Sequence, residues 1–121
     1  MIRTDFKDET LDALRFIISC QDEFIVCGSR YFGDAKPNSD YDFVTEDVRI
    51  YDFLITQGWE CSKSEKLEYL DSNTLHVIGK AKVQIIIAKS LSRRVAAREW
   101  IVANGRDRHK TESWDDAYNN V

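Results

Sequence analysis

The sequence predicts an α/β (α+β) chain, a mixed β-sheet packed by helices, and three observations carry that expectation. Apolar residues recur at helical spacing in two stretches, Asp8 to Cys20 and Ser90 to Asn104. Between them lie short runs of β-type residues, "EFIVCG", "DYDFV" and "VQIIIA", each bounded by glycine or by polar loops. Helices that alternate with strands in this way build layers around one sheet, and 121 residues with 43% hydrophobic content suffice for a single core.

The elements follow in order. In "TLDALRFIIS", Leu11, Leu14, Ile17 and Ile18 share a face, and acids stand in the opening turn, where the helix dipole favours them. "EFIVCG" is a buried strand closed by Gly28. A helical turn from Ser29 to about Gly33 leads into a loop from Asp34 to Ser39 with the lone Pro37, and "DYDFV" alternates as the next strand. "DVRIYDFLITQG" is a short helix that stops at Gly58. "WECS" is a short strand and "EKLEYLDS" a polar link. "NTLHVIGKAKVQIIIAK" is a hairpin turning at Gly79, Lys80 and Ala81. "SLSRRVAAREWIVANG" begins on a Ser90 or Ser92 cap and ends on Gly105. Residues 106–121 read as a loosely attached tail of the single domain, with "ESWDDAY" a last short helix.

Composition removes some classes of function. No run of roughly 18 apolar residues and no basic leader before an apolar stretch is readable, so neither a membrane span nor a secretory signal is expected. Cys20, Cys27 and Cys61 lack metal-ligand spacing and read as reduced, mostly buried thiols of a cytoplasmic protein. The net charge of −4 hides an asymmetry: Lys89 to Lys110 holds seven basic residues against two acidic ones. Such a basic end meets a phosphate-bearing ligand or serves as a solvated face.

The chemistry concentrates in "GSRYFGDAKPNSDYDF", residues 28–43. Gly28 lets backbone approach a ligand closely. Ser29 offers a hydroxyl and an amide at the start of a helical turn. Asp40 and Asp42, on alternate positions of a strand, point to the same side and repel each other unless a cation lies between them. Hard carboxylate oxygens beside a phosphate site suit Mg²⁺. Without a ligand, Asn38, Ser39 and Asp40 read as a turn with loop-capping side chains.

The order Cys27, Gly28, Ser29, a gap of about ten residues, then Asp40, Tyr41, Asp42, Phe43 resembles the nucleotidyltransferase superfamily that includes DNA polymerase beta and the aminoglycoside nucleotidyltransferases. Arg30 and Gly33 look like residues that often follow the Gly-Ser pair in small members. The likeness covers about a third of the chain, up to Val44. It implies a minimal core with helices on one face of the sheet, a nucleoside triphosphate held at Gly28, Ser29 and Arg30, and one or two Mg²⁺ ions on Asp40 and Asp42. The implied reaction moves a nucleoside monophosphate onto a hydroxyl of RNA, protein or a small molecule. Small members occur in toxin-antitoxin pairs and in phages, which would put a phage-encoded chain in the host cytoplasm. A chain this short implies that a second copy or another protein completes the cleft.

One residue departs from that pattern. Active members add a third carboxylate from a later strand, and "KAKVQIIIAK" carries Gln84 there, which neither accepts a proton nor adds negative charge. Three expectations stay open: Glu68 or Asp71 supplies the carboxylate; His76 takes the proton, or no base is needed; or the fold is catalytically degenerate and binds a nucleotide or a protein as an inhibitor, antitoxin or host-modulating module. Arg93 and Arg94 are placed to reach the triphosphate, and Arg98 with Trp100 to frame a base or a partner, although Trp100 also fits the core. Trp59 and Trp114 suit core or interface positions, and Tyr31 and Phe32 beside the Gly-Ser turn suit stacking or a protein contact.

Overall fold

The computed structural model describes residues 4–20, 24–61 and 72–121. In chain order the elements are α1 (Thr4–Ser19), β1 (Ile25–Cys27), α2 (Ser29–Phe32), β2 (Tyr41–Thr45), α3 (Ile50–Thr56), β3 (Glu60–Cys61), β4 (Thr74–Lys80), β5 (Val83–Ala88), α4 (Leu91–Ala103) and α5 (Thr111–Asn120). The polar link with Glu68 and Asp71 falls outside the described residues.

The five strands form one mixed sheet in the order β1-β2-β5-β4-β3. Only the β2–β5 pair is parallel; the others are antiparallel. This is the expected α+β class, but helices pack on both faces of the sheet and not on one, α1 and α3 on one side and the start of α4 on the other. The β4–β5 hairpin turns beyond its glycine and not at it: Lys80 pairs with Val83, so Ala81 and Lys82 make the turn and Ala81 takes a positive φ of 53°. Gly79 stays in the ladder opposite Gln84.

Alternation along the strands sorts side chains to two faces. Ile78, Val83, Ile85 and Ile87 pack with Ala13 and Ile17 of α1, with Ile50 and Leu54 of α3, and with Trp59. That dry face is the larger core, with Leu54, Ile78, Ile85 and Ile87 at or near zero exposure. The opposite face carries Cys27, Val44, Val77, Ile86 and Ala88, closed at one end by Leu91 at the start of α4. Register lines up Cys27, Asp42, Gln84 and Gly79 across four neighbouring strands, so this second face also carries the acidic motif.

Helix α4 is anchored to the second face from three directions. The Ser90 hydroxyl accepts from the Arg93 amide as an N-cap. Asn73 Nδ2 donates to the Ser90 carbonyl at 3.0 Å, and the Ser90 amide donates to Asn73 Oδ1 at 3.1 Å. The Leu91 amide donates to Glu46 Oε2 at 2.9 Å, a carboxylate at the positive end of the helix. About two turns further along, Arg98 Nη1 donates to the Val26 carbonyl at 2.9 Å and ties α4 to the β1 edge.

Residues 106–121 are not a loose tail. Trp114, Ala117 and Tyr118 share one side of α5 and are buried against Ala97 and Ile101 of α4. Trp114 Nε1 donates to the Arg108 carbonyl at 2.8 Å, which fixes the α4–α5 connection. Arg106 adds an ion pair to Asp116 at 2.6 Å. Truncating Trp114 to alanine is expected to cost about 3–5 kcal/mol in urea denaturation. A loosely held segment would register within about 0.5 kcal/mol.

Candidate functional site

Between the second face of the sheet and the α4–α5 hairpin lies a cavity of about 320 Å³. Its floor is the β1–α2 bend, Cys27, Gly28 and Ser29. One wall is the strand end and loop with Asn38, Ser39, Asp40 and Asp42; the facing wall comes from Arg94, Arg98, Arg108, His109 and Trp114.

The bend exists because residue 28 is glycine. Gly28 has φ +68°, and a Cβ there would run into the Asp42 carboxylate. Close approach and the positive φ together exclude other residues. The chain then enters the single turn of α2, with the amides of Tyr31 and Phe32 donating to the Gly28 carbonyl at 3.0 and 3.1 Å. The loop that follows is held at both ends. Arg30 Nη2 donates to the Ser39 carbonyl at 2.7 Å, and Lys82 Nζ donates to the Asn38 carbonyl at 2.9 Å. Arg108 Nη2 bridges to both carboxylate oxygens of Asp34 at 3.0 Å from the other side of the cavity.

The two aspartates differ in setting. Asp40 is exposed, with Lys82 Nζ 3.9 Å from its Oδ1. Asp42 is buried. Burial first, and the neighbouring Asp40 second, push the Asp42 carboxyl up from 3.8 to about 6, against a downward pull from Arg30. Opposite them, Arg94 and Arg98 are buried to 2% and 9% exposure, which is rare for guanidinium groups. Each lies over an aromatic ring, Arg94 at 3.9 Å from the Trp114 centroid and Arg98 at 3.6 Å from Tyr31. Cys27 on the floor has its thiol pushed up to about 12, chiefly by burial, so at neutral pH it is a protonated apolar group and not a nucleophile.

Of the residues singled out in the sequence, Gly28, Ser29, Asp40 and Asp42 meet around this cavity, and Arg94 and Arg98 join them. Four others stand elsewhere. Arg30 is spent on the loop and on the Tyr41 ring, 3.8 Å from its centroid. Arg93 points along α5, donating to the Tyr118 carbonyl at 2.6 Å. The one-residue difference between Arg93 and Arg94 is a 100° rotation about the helix axis, enough to exchange the α5 side for the cavity. His76 lies on the dry face, stacked on Tyr51 of α3 at 4.1 Å between centroids; the hairpin register pairs it with Ile87 and removes it from the acids. Gln84 is the β5 partner of Asp42 and shares its face, but it is not a lining residue of the cavity.

Arg108, His109, Phe32 and Trp114 complete the walls. The basic excess between Lys89 and Lys110 was the signal for Arg108, since it pairs Arg94 and Arg98 with a connection that folds back over the same cavity; nothing in the sequence singled out His109. Trp100 is only partly buried in the α4–α5 contact, with Arg106 at 5.5 Å from its ring. Among the described residues no group of three or more His, Cys, Asp or Glu side chains comes together, and no helix is long and apolar enough to cross a membrane. Comparisons with protein-family models, with curated proteins and with solved structures find no match to this chain.

The raised Asp42 carboxyl fixes a pH dependence. The folded chain holds this proton more tightly than the unfolded chain, so its contribution to stability is complete below pH 3.8 and is lost as pH rises through about 6. Asp42→Asn is therefore expected to be more stable than wild type at pH 8, without ligand, by about 1–3 kcal/mol. The gap should close near pH 4. Urea midpoints at the two pH values check this, and a variant weaker than wild type at pH 8 contradicts it.

Proposed function

We propose that this chain is a Mg²⁺-dependent nucleotidyltransferase-like protein that moves a nucleoside monophosphate from a triphosphate onto an acceptor hydroxyl. The observation that carries the reading is one cavity with two carboxylates on one wall, buried guanidiniums on the other and a glycine bend as its floor. Carboxylates alone would repel a triphosphate, and arginines alone would leave Asp40 and Asp42 unbalanced. A phosphate chain paired with a divalent cation satisfies both walls.

The donor set fits Mg²⁺. Asp40 and Asp42 would hold the ion through two hard carboxylate groups from a rigid strand end, with phosphate oxygens and water as further ligands. When bound there, Mg²⁺ neutralises charge on the phosphates and lowers the cost of ionising Asp42 in its buried position.

The protein's own groups do the rest. The backbone at Gly28 and Ser29 receives the phosphates without an intervening side chain. Arg94 and Arg98, locked by their aromatic partners, stabilise the charge that grows on the leaving pyrophosphate. The acceptor oxygen forms a bond to the alpha phosphorus, the bond from that phosphorus to the bridging oxygen breaks, and the hydroxyl proton passes to water. The acceptor belongs to RNA, a protein or a small molecule, and the open side of the cavity leaves room for a second copy or another protein to present it. Cytoplasm, which holds nucleoside triphosphates, is the setting proposed for this chemistry, and Cys20, Cys27 and Cys61 form no disulfide with one another.

Gln84 favours a second reading. It stands beside Asp42 on the adjacent parallel strand, where a carboxylate would have raised the negative charge of the site. With an amide there, nucleotide binding without transfer is the alternative, in which the cavity serves as a sensor or a docking module.

Both readings require binding, so binding is measured first. Mg²⁺ with a nucleoside triphosphate at a hundredfold excess over Kd should stabilise the chain by about 2.7 kcal/mol, read as a rise in Tm, and Asp42→Asn should abolish the rise. An unchanged wild-type Tm overturns both readings. Transfer is then tested with alpha-labelled triphosphates and cell extract: a labelled product selects the enzyme, and a blank with all four nucleotides selects the binding module.

A further inference from the structure

A second cavity, of about 300 Å³, opens on the far side of Phe32 and Arg108, which line both. Its other walls include Ile101 and Val102 from the end of α4 and Arg106 and Asp107 from the connection to α5. The two cavities are chemically unlike. The first is walled by opposed charges; the second has an apolar side, Phe32, Ile101 and Val102, and a polar rim formed by the α4–α5 connection.

Val102 is 58% exposed, a large apolar side chain in the last turn of α4, where helical periodicity favours a polar residue. Arg108 is the partition. Its guanidinium sits 4.5 Å from the Phe32 ring centroid and bonds to Asp34. Its carbonyl accepts from Trp114 Nε1, so the backbone that carries it is fixed.

We propose that this second cavity is the nucleobase subsite of the same ligand whose phosphates occupy the first. The inference rests on the phosphate reading above and extends it by assigning where the base goes. A nucleotide is one molecule with a charged chain at one end and a flat, largely apolar ring with polar edges at the other. The two cavities offer those two environments on either side of a shared wall. A ring lying against Phe32 and Val102 removes exposed apolar surface from water, and its edge meets the carboxylate of Asp107 or the guanidinium of Arg106. The Arg108 guanidinium, at the partition, lies beside the junction of sugar and phosphate.

The experiment compares each of the four nucleoside triphosphates with inorganic tripolyphosphate, all with Mg²⁺, by calorimetric titration of the full chain. At least one nucleoside triphosphate is expected to bind ten times more tightly than tripolyphosphate. Val102→Glu and Val102→Lys, opposite in charge and both at a solvent-facing position, should each bring that ratio close to one while tripolyphosphate affinity changes less than threefold. Matching wild-type and variant Tm values confirm that both fold. Equal binding of tripolyphosphate and all four nucleotides to wild type overturns the base subsite and leaves the phosphate reading standing. So does a ratio that survives both substitutions. If tripolyphosphate and nucleotides alike fail to bind, the phosphate reading falls and the subsite with it.

Discussion

The constraint on which the structure turns is the placing of unlike charges on facing walls of one cavity. Asp40 and Asp42 end one wall of a cavity; Arg94 and Arg98, both buried, stand on the other. The guanidiniums rest on Trp114 and Tyr31, and burial raises the Asp42 carboxyl to about 6. Burying ionisable groups lowers stability unless their charge is compensated, and such groups concentrate at functional sites. The proposed ligand, a triphosphate with its cation, answers both signs at once.

The scaffold around this cavity is built to hold its walls at a set separation. Parallel pairing of β2 with β5 places Asp42 inside the sheet, so its backbone cannot drift. The contact between Gly28 and Asp42 makes the bend and the acid mutually dependent: a side chain at 28 would displace the carboxylate. On the other wall, α4 is capped by Ser90, clamped by Asn73 and Glu46 and tied to β1 through Arg98. The α5 helix supplies Trp114, on which Arg94 rests. The second segment of the chain is therefore a working wall of the cavity and not an appendage to it.

The acidic half of this site was legible in the sequence, and the basic half only in outline. Gly28, Ser29, Asp40 and Asp42 lie within fifteen residues of one another on local elements, where alternation and glycine usage speak directly. Arg94 could not be separated from Arg93 by composition, because the choice depends on which side of α4 meets α5. Residues 106–121 read as a tail because a ten-residue helix rich in Asp and Asn has little intrinsic preference for helix; burial of Trp114 and Tyr118 decides it. His76 was lost to hairpin register: a turn at Gly79 to Ala81 would set it opposite Gln84, whereas the turn at Ala81 and Lys82 sets it opposite Ile87. Gln84, which only the resemblance singled out, pairs with Asp42 across β2 and β5.

Coupling between the two charges is the central claim, and it can be read as one number. Calorimetric titration of a nucleoside triphosphate into the chain, with Mg²⁺ and again with EDTA, measures how far the cation and the phosphate chain depend on each other. Cooperative occupation of facing walls predicts an affinity at least tenfold higher with Mg²⁺, and equal affinities in Asp42→Asn. Equal affinities in the wild type, or tighter binding in EDTA, would show that the arginines bind phosphate without the acids and would contradict the account.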